Sequence, residues 1–113
     1  MVKLFDTHAH LNDEAYKDDL TCVIKNCRDA GLEYIVNVGY DEKSSGDAVE
    51  LADEYDFMYA VVGAHPDACN IECDLGFVEK LAQNKKVVAL GEIGLDYHYD
   101  TTVKDMQKKY FRK

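Results

Sequence analysis

Four short β-rich runs, at residues 2 to 6, 33 to 38, 58 to 63 and 87 to 92, return along the chain at intervals of about 30 residues. Between them the period changes. Apolar residues recur at three and four, as in Ala48, Val49, Ala52 and Tyr55 or Leu75, Val78, Leu81 and Ala82, the spacing of a helix that lays one face on a sheet. The pattern predicts helices at about 13 to 30, 43 to 55 and 74 to 84, with a fourth starting near Thr102. Asn12 or Asp13, Ser44 or Ser45, and Asp74 are the expected N-caps, and Gly31 the expected C-terminal stop. Strand, helix, strand in this order predicts an α/β fold, with parallel strands, alternating helices and right-handed crossovers.

The C-terminal strand ends of a parallel sheet open on one side, where ligands bind. Glycines end the later runs at Gly39, Gly63 and Gly91. The residues around those ends have metal-binding chemistry. FDTHAHLN, residues 5 to 12, follows the first run and sets His8 and His10 one residue apart. In extended chain they point the same way and can offer imidazole nitrogens to one ion. Alone, such a pair reads more readily as a tag remnant or two solvated loop histidines. The third run leads into VGAHP with His65, and the fourth ends in GEIGLDY with Glu92. A carboxylate closing an apolar strand is costly to bury unless a cation pairs with it. His65 precedes Pro66 and reads either as a site residue or as the cap of a rigid turn. Asp6, in the parity of His8 and His10, either orients a ligand imidazole or ends its strand.

FDTHAHLN, VGAHP and GEIGLDY, in this order, resemble the TatD-like metal-dependent deoxyribonucleases, a family of amidohydrolase-type TIM barrels. The resemblance runs over residues 1 to 113 as a single truncated domain, and implies the first four β/α units of a (β/α)8 barrel, a half barrel. It implies hydrolysis of DNA phosphodiesters, typically from an end, with two divalent ions (zinc, magnesium or manganese) as cofactors. His8 and His10 would hold one ion, Glu92 would be shared between two, and Glu92 and His65 would be the catalytic residues. Relatives complete the site with two histidines and an aspartate from the second barrel half. Asp96 and Tyr97, in the GLDY element, would shape the rim. His98 has no assigned place. Tyr97, Tyr99 and Tyr110 either stack on bases or simply pack. Two other readings are a C–N or ester hydrolase of the same superfamily, many of which carry a modified lysine where Glu92 stands, and a non-catalytic module that binds metal or a partner.

The charge balance opposes a nucleic-acid substrate: 13 basic against 22 acidic residues give −9, whereas affinity for phosphate backbones comes from cations. Bound divalent ions would be the largest local charges and would supply that attraction themselves. Five basic residues, Lys104, Lys108, Lys109, Arg112 and Lys113, gather near the end of the chain, a distribution that reads as a solvated helix face. GxGxxG and GxxxxGK[ST] loops are absent, which argues against nucleotide cofactors. No apolar run approaches ~20 residues, so no membrane span is expected. Lys3, Asp6, His8 and His10 interrupt any signal-like stretch, and the expected location is the cytoplasm. Cys22, Cys27, Cys69 and Cys73 are accordingly read as reduced thiols.

Four strands cannot close a barrel. The first and fourth are expected as open edges, with Leu4, Val36, Val38 and several of Val61, Val62, Val87 and Val88 on an uncovered inner face. The expected partner is a second copy in a homodimer, or the missing C-terminal half-barrel.

Overall fold

The computed structural model describes residues 2–69, 73–98 and 103–113. β1 (Leu4–Ala9) leads through a 3-10 turn (Glu14–Tyr16) into α1 (Leu20–Asp29). β2 (Leu32–Val38), α2 (Glu42–Glu54) and β3 (Met58–Val62) follow. A second 3-10 turn (Pro66–Ala68) precedes α3 (Gly76–Leu81), β4 (Val87–Leu90) and α4 (Lys104–Phe111). The strands form one parallel sheet in the order β1-β2-β3-β4, as the alternation predicts. The expected start of the last helix, Thr102, lies outside the described residues.

One face of the sheet is sealed by helices. Ile35 and Met58 pack with Leu11, Ile24 and Leu51. Ala60 and Val62 pack with Ala48, Val49 and Ala52 of α2. Ala48 and Ala52 are fully buried, and their small side chains let α2 lie close on β3. On another face the rings of Phe5, Tyr34 and Tyr59 form a row across three strands, with centroids 5.7 and 6.1 Å apart. Phe5 and Tyr34 are exposed.

Several local expectations are corrected. The helix expected over 13 to 30 splits, because Asp13 caps the short turn through Ala15 N–H at 2.8 Å and α1 begins only at Leu20. The cap of α2 is Asp41 rather than Ser44 or Ser45. Asp41 accepts from Ser44 N–H and the Ser44 hydroxyl bonds back to the Asp41 backbone, a capping box. Asp74 accepts from Gly76 N–H at 2.9 Å, one position before the formal cap Leu75. Gly31, with φ 94°, ends α1 as expected.

The inner face is less bare than expected. Val36 and Val38 are buried, whereas Leu4 and Val88 are exposed. Val62 belongs to the helix-covered cluster, with Val87 packed against it. Val62 shares the parity of buried Met58 and Ala60, and Val87 lies opposite Ala60, just before a bulge where two steps of β4 match one of β3. No helix among the described residues is long and apolar enough to cross a membrane.

Candidate metal centre

The geometry begins with an irregularity in β1. Asp6 lies opposite Ile35 and Ala9 opposite Asn37, three steps against two. This bulge takes Asp6 out of the parity of His8 and His10, and β1 runs on to Ala9 instead of stopping at residue 6. Among the described residues no hydrogen bond links Asp6 to an imidazole. Its carboxylate accepts the His8 backbone N–H at 3.0 Å.

His8 Nε2 lies 3.2 Å from His10 Nε2 and 3.2 Å from Glu92 Oε1. The ligand atoms of all three lie within 4.8 Å of one another. Two donors bound at ~2.1 Å to one tetrahedral ion are about 3.4 Å apart, so both short distances suit ligands of a shared cation. Two imidazoles with a carboxylate form a donor set for zinc or manganese. The residues present thus fit a divalent metal.

Orientation comes from the neighbouring strand. His10 Nδ1 donates to the Val38 carbonyl at 2.8 Å, which puts the neutral ring's lone pair on Nε2, towards His8. Asn37, fully buried, accepts from Leu11 N–H at 3.1 Å through Oδ1 and donates to Met58 Sδ at 3.5 Å. It clamps the turn carrying His10. An asparagine inside the apolar run LEYIVNV was the available signal for this role.

Glu92 is positioned through its backbone. Gly91 N–H donates to Val62 O and Glu92 N–H to Gly39 O, both at 2.9 Å; the Gly91–Glu92 peptide is cis. A Cβ on Gly63 would lie 2.4 Å from Gly91 C, and one on Gly39 would lie 2.3 Å from Ser45 Oγ, so both sites require glycine. Ser45, fully buried, accepts from Gly63 N–H and donates to Gly63 O at 3.2 and 3.3 Å, tying α2 to the end of β3. The Glu92 side chain keeps 32% exposure. Its convergence with the histidines, rather than a burial cost, identifies it.

His65 falls in a second group, with Asp67 and Asp96, whose ligand atoms also lie within 4.8 Å of one another. It caps the Pro66–Ala68 turn, Nδ1 accepting from Asp67 N–H at 3.1 Å. Asp96 is held by Gln107 of α4, which is fully buried. Gln107 Oε1 accepts from Asp96 N–H at 2.9 Å and Nε2 donates to Asp96 O at 2.8 Å. His98 N–H donates to the Asp96 carboxylate at 2.9 Å. Tyr110 is buried, its hydroxyl accepting from Cys73 N–H at 2.6 Å, which settles it as a packing residue rather than a stacking platform. Tyr97 is exposed beneath the Lys104 ammonium, and Tyr99 lies outside the described residues. All four cysteines are free, and burial pushes the Cys27, Cys69 and Cys73 thiols above their ordinary range.

A parallel α/β sheet that gathers two imidazoles and a carboxylate at its strand ends has the architecture and donor set of the metal-dependent hydrolases. The chain belongs to the TatD related DNase family, whose model matches residues 5–113. An uncharacterized metal-dependent hydrolase of Bacillus subtilis (strain 168), YabD, is 50% identical over 111 residues, covering 96% of this chain and 44% of its own length. The 3'-5' ssDNA/RNA exonuclease TatD of Rahnella sp. (strain Y9602) is 30% identical over 112 residues, covering 96% of this chain and 42% of the relative. The crystal structure of a TatD family hydrolase from Entamoeba histolytica superposes with a TM-score of 0.86 at 26% identity, over 97% of this chain and 44% of that one. The chain thus spans less than half the length of these relatives, and its four strands correspond to half of a TatD barrel.

Proposed function

We propose that these 113 residues form a domain unit that supplies half of the catalytic centre of a divalent-metal-dependent deoxyribonuclease, acting on DNA phosphodiesters in the cytoplasm. The observation that carries this reading is the convergence of His8, His10 and Glu92 at 3.2 Å spacings. The Rahnella relative, named for ssDNA and RNA, supports a nucleic-acid substrate, and the free thiols support the location.

In this reading His8 and His10 would hold one of two divalent ions, zinc, magnesium or manganese, and Glu92 would be shared between the two. When bound, such ions lower the pKa of water and offset charge on phosphoryl oxygens. The Val38 carbonyl keeps the His10 ring turned into the site. His65 takes the second catalytic role. Its Nδ1 already accepts from Asp67 N–H, so the neutral ring carries its proton on Nε2 and keeps it there, offering it as a hydrogen bond to an oxygen of the phosphodiester. The remaining ligands come from a second half-barrel, contributed by the same polypeptide or by another copy.

The test is cleavage of a labelled single-stranded oligonucleotide with manganese. Cleavage abolished by chelator and by Glu92→Ala is expected. Cleavage that survives both would contradict the proposal.

A further inference from the structure

Tyr40 follows Gly39 beyond β2, and its ring centroid lies 6.1 Å from that of His10, the planes inclined at 69°. Its backbone is fixed on both sides: Tyr40 N–H donates to Ser44 Oγ at 2.9 Å, and its carbonyl accepts from His65 N–H at 2.8 Å. The residue nevertheless keeps 37% exposure. A half-exposed ring on an anchored backbone, next to a candidate metal ligand, is a surface on which a flat group can rest at little entropic cost.

Beside the ring opens a cavity of about 250 Å³, walled by Asn12, Asp13, Asp41, Ser44 and Asp47. Lys43 also borders it, but its ammonium is engaged by Asp47 at 2.7 Å and lies 3.7 Å from Glu14. The wall is therefore negative and rich in acceptors. Such a wall repels a phosphate and suits a neutral planar group that brings N–H donors. The phenol of a tyrosine is neutral at pH 7, so the ring meets its ligand uncharged. A nucleobase has this chemistry: a π-face for the ring and amino hydrogens for the carboxylates.

We infer that Tyr40 and the adjoining acidic cavity form a base subsite, taking the nucleobase next to the phosphodiester held at His8, His10 and Glu92. The inference rests on the nuclease reading. It divides the labour of recognition, with the metal centre attracting the phosphate and the uncharged ring taking the base. It also explains how an acidic chain can accept a polyanion, since the acidic wall faces the base and not the charged phosphate.

The test is fluorescence anisotropy of the manganese-loaded protein with two labelled ten-nucleotide strands of phosphorothioate backbone, one of deoxycytidine and one wholly abasic. Tyr40→Ser should weaken binding of the deoxycytidine strand by roughly 5- to 150-fold, the range of one base stack. It should leave the abasic strand within about two-fold, and Tyr40→Phe should bind both strands like the wild type. Unchanged manganese affinity of Tyr40→Ser, by calorimetry, shows that the variant is folded. Equal loss on both strands, or none on either, would overturn the base subsite and leave the nuclease reading standing. A wild-type protein that binds manganese but neither strand would overturn both.

Discussion

His10 Nδ1 and the carbonyl oxygen of Val38 are 2.8 Å apart, a bond between residues 28 positions apart in the chain. It ties the ring that faces His8 to the middle of the sheet, so the metal centre inherits the rigidity of β2. Asn37, next to Val38, fixes the same turn through Leu11 N–H.

Asn37→Leu should therefore cost stability and metal affinity together. It leaves the N–H of buried Leu11 unpaired, a loss of about 1–3 kcal/mol, and loosens the support of a ligand, which is worth about ten-fold in affinity. Urea denaturation and manganese titration of the same variant read the two effects. Loss of stability with affinity unchanged would show that Asn37 serves the core alone.

Gly63→Ala tests the approach that places Glu92. The new Cβ would lie 2.4 Å from Gly91 C, so the backbone before Glu92 must move, at a cost of about 1–3 kcal/mol. A lowered urea midpoint and weakened manganese binding are expected. Wild-type values for both would mean that the contact is relieved elsewhere.

Folding stability should fall above about pH 9. Burial raises the Cys27, Cys69 and Cys73 thiols above an ordinary value of 9.0, and also raises the phenols of Tyr40 and Tyr55. Below their unfolded pKa these groups are neutral in both states and cost nothing. As the pH rises through that range, the unfolded chain releases protons that the folded chain retains, and unfolding gains. Urea midpoints at pH 7.5 and 10 check the sign. A midpoint that rises would contradict it.

The parts legible in the sequence are those that place particular atoms at particular ends. HxH after the first strand, and glutamate after a glycine at the end of the fourth, predict ligands because topology brings parallel strand ends together. The bulges were not legible. Nothing in DTHA shows that β2 will oppose three steps with two, or that two steps of β4 will oppose one of β3. Both follow from how side chains pack between strands, which a period of two cannot encode. Ser44 and Ser45 misled for a related reason: Asp41, three residues before Ser44, completes the capping box, and Ser45 turns inward to Gly63.

Expressed alone, the chain should self-associate. β1 and β4 are edges of the sheet, and Phe5, Tyr34, Val88 and Leu90 are exposed, which together offer backbone pairing and apolar surface to another chain. Light scattering at micromolar concentration should show dimers or larger species, together with hydrophobic-dye binding. A dye-negative monomer that unfolds cooperatively would contradict this.

Calorimetric titration of manganese into the wild type and into His8→Ala/His10→Ala tests the metal centre most directly. Saturable binding is expected in the wild type, weakening as the pH is lowered because protons and the ion compete for the same imidazole nitrogens, with no measurable binding in the double variant. Equal affinity in the two proteins would show that His8 and His10 are not the ligands.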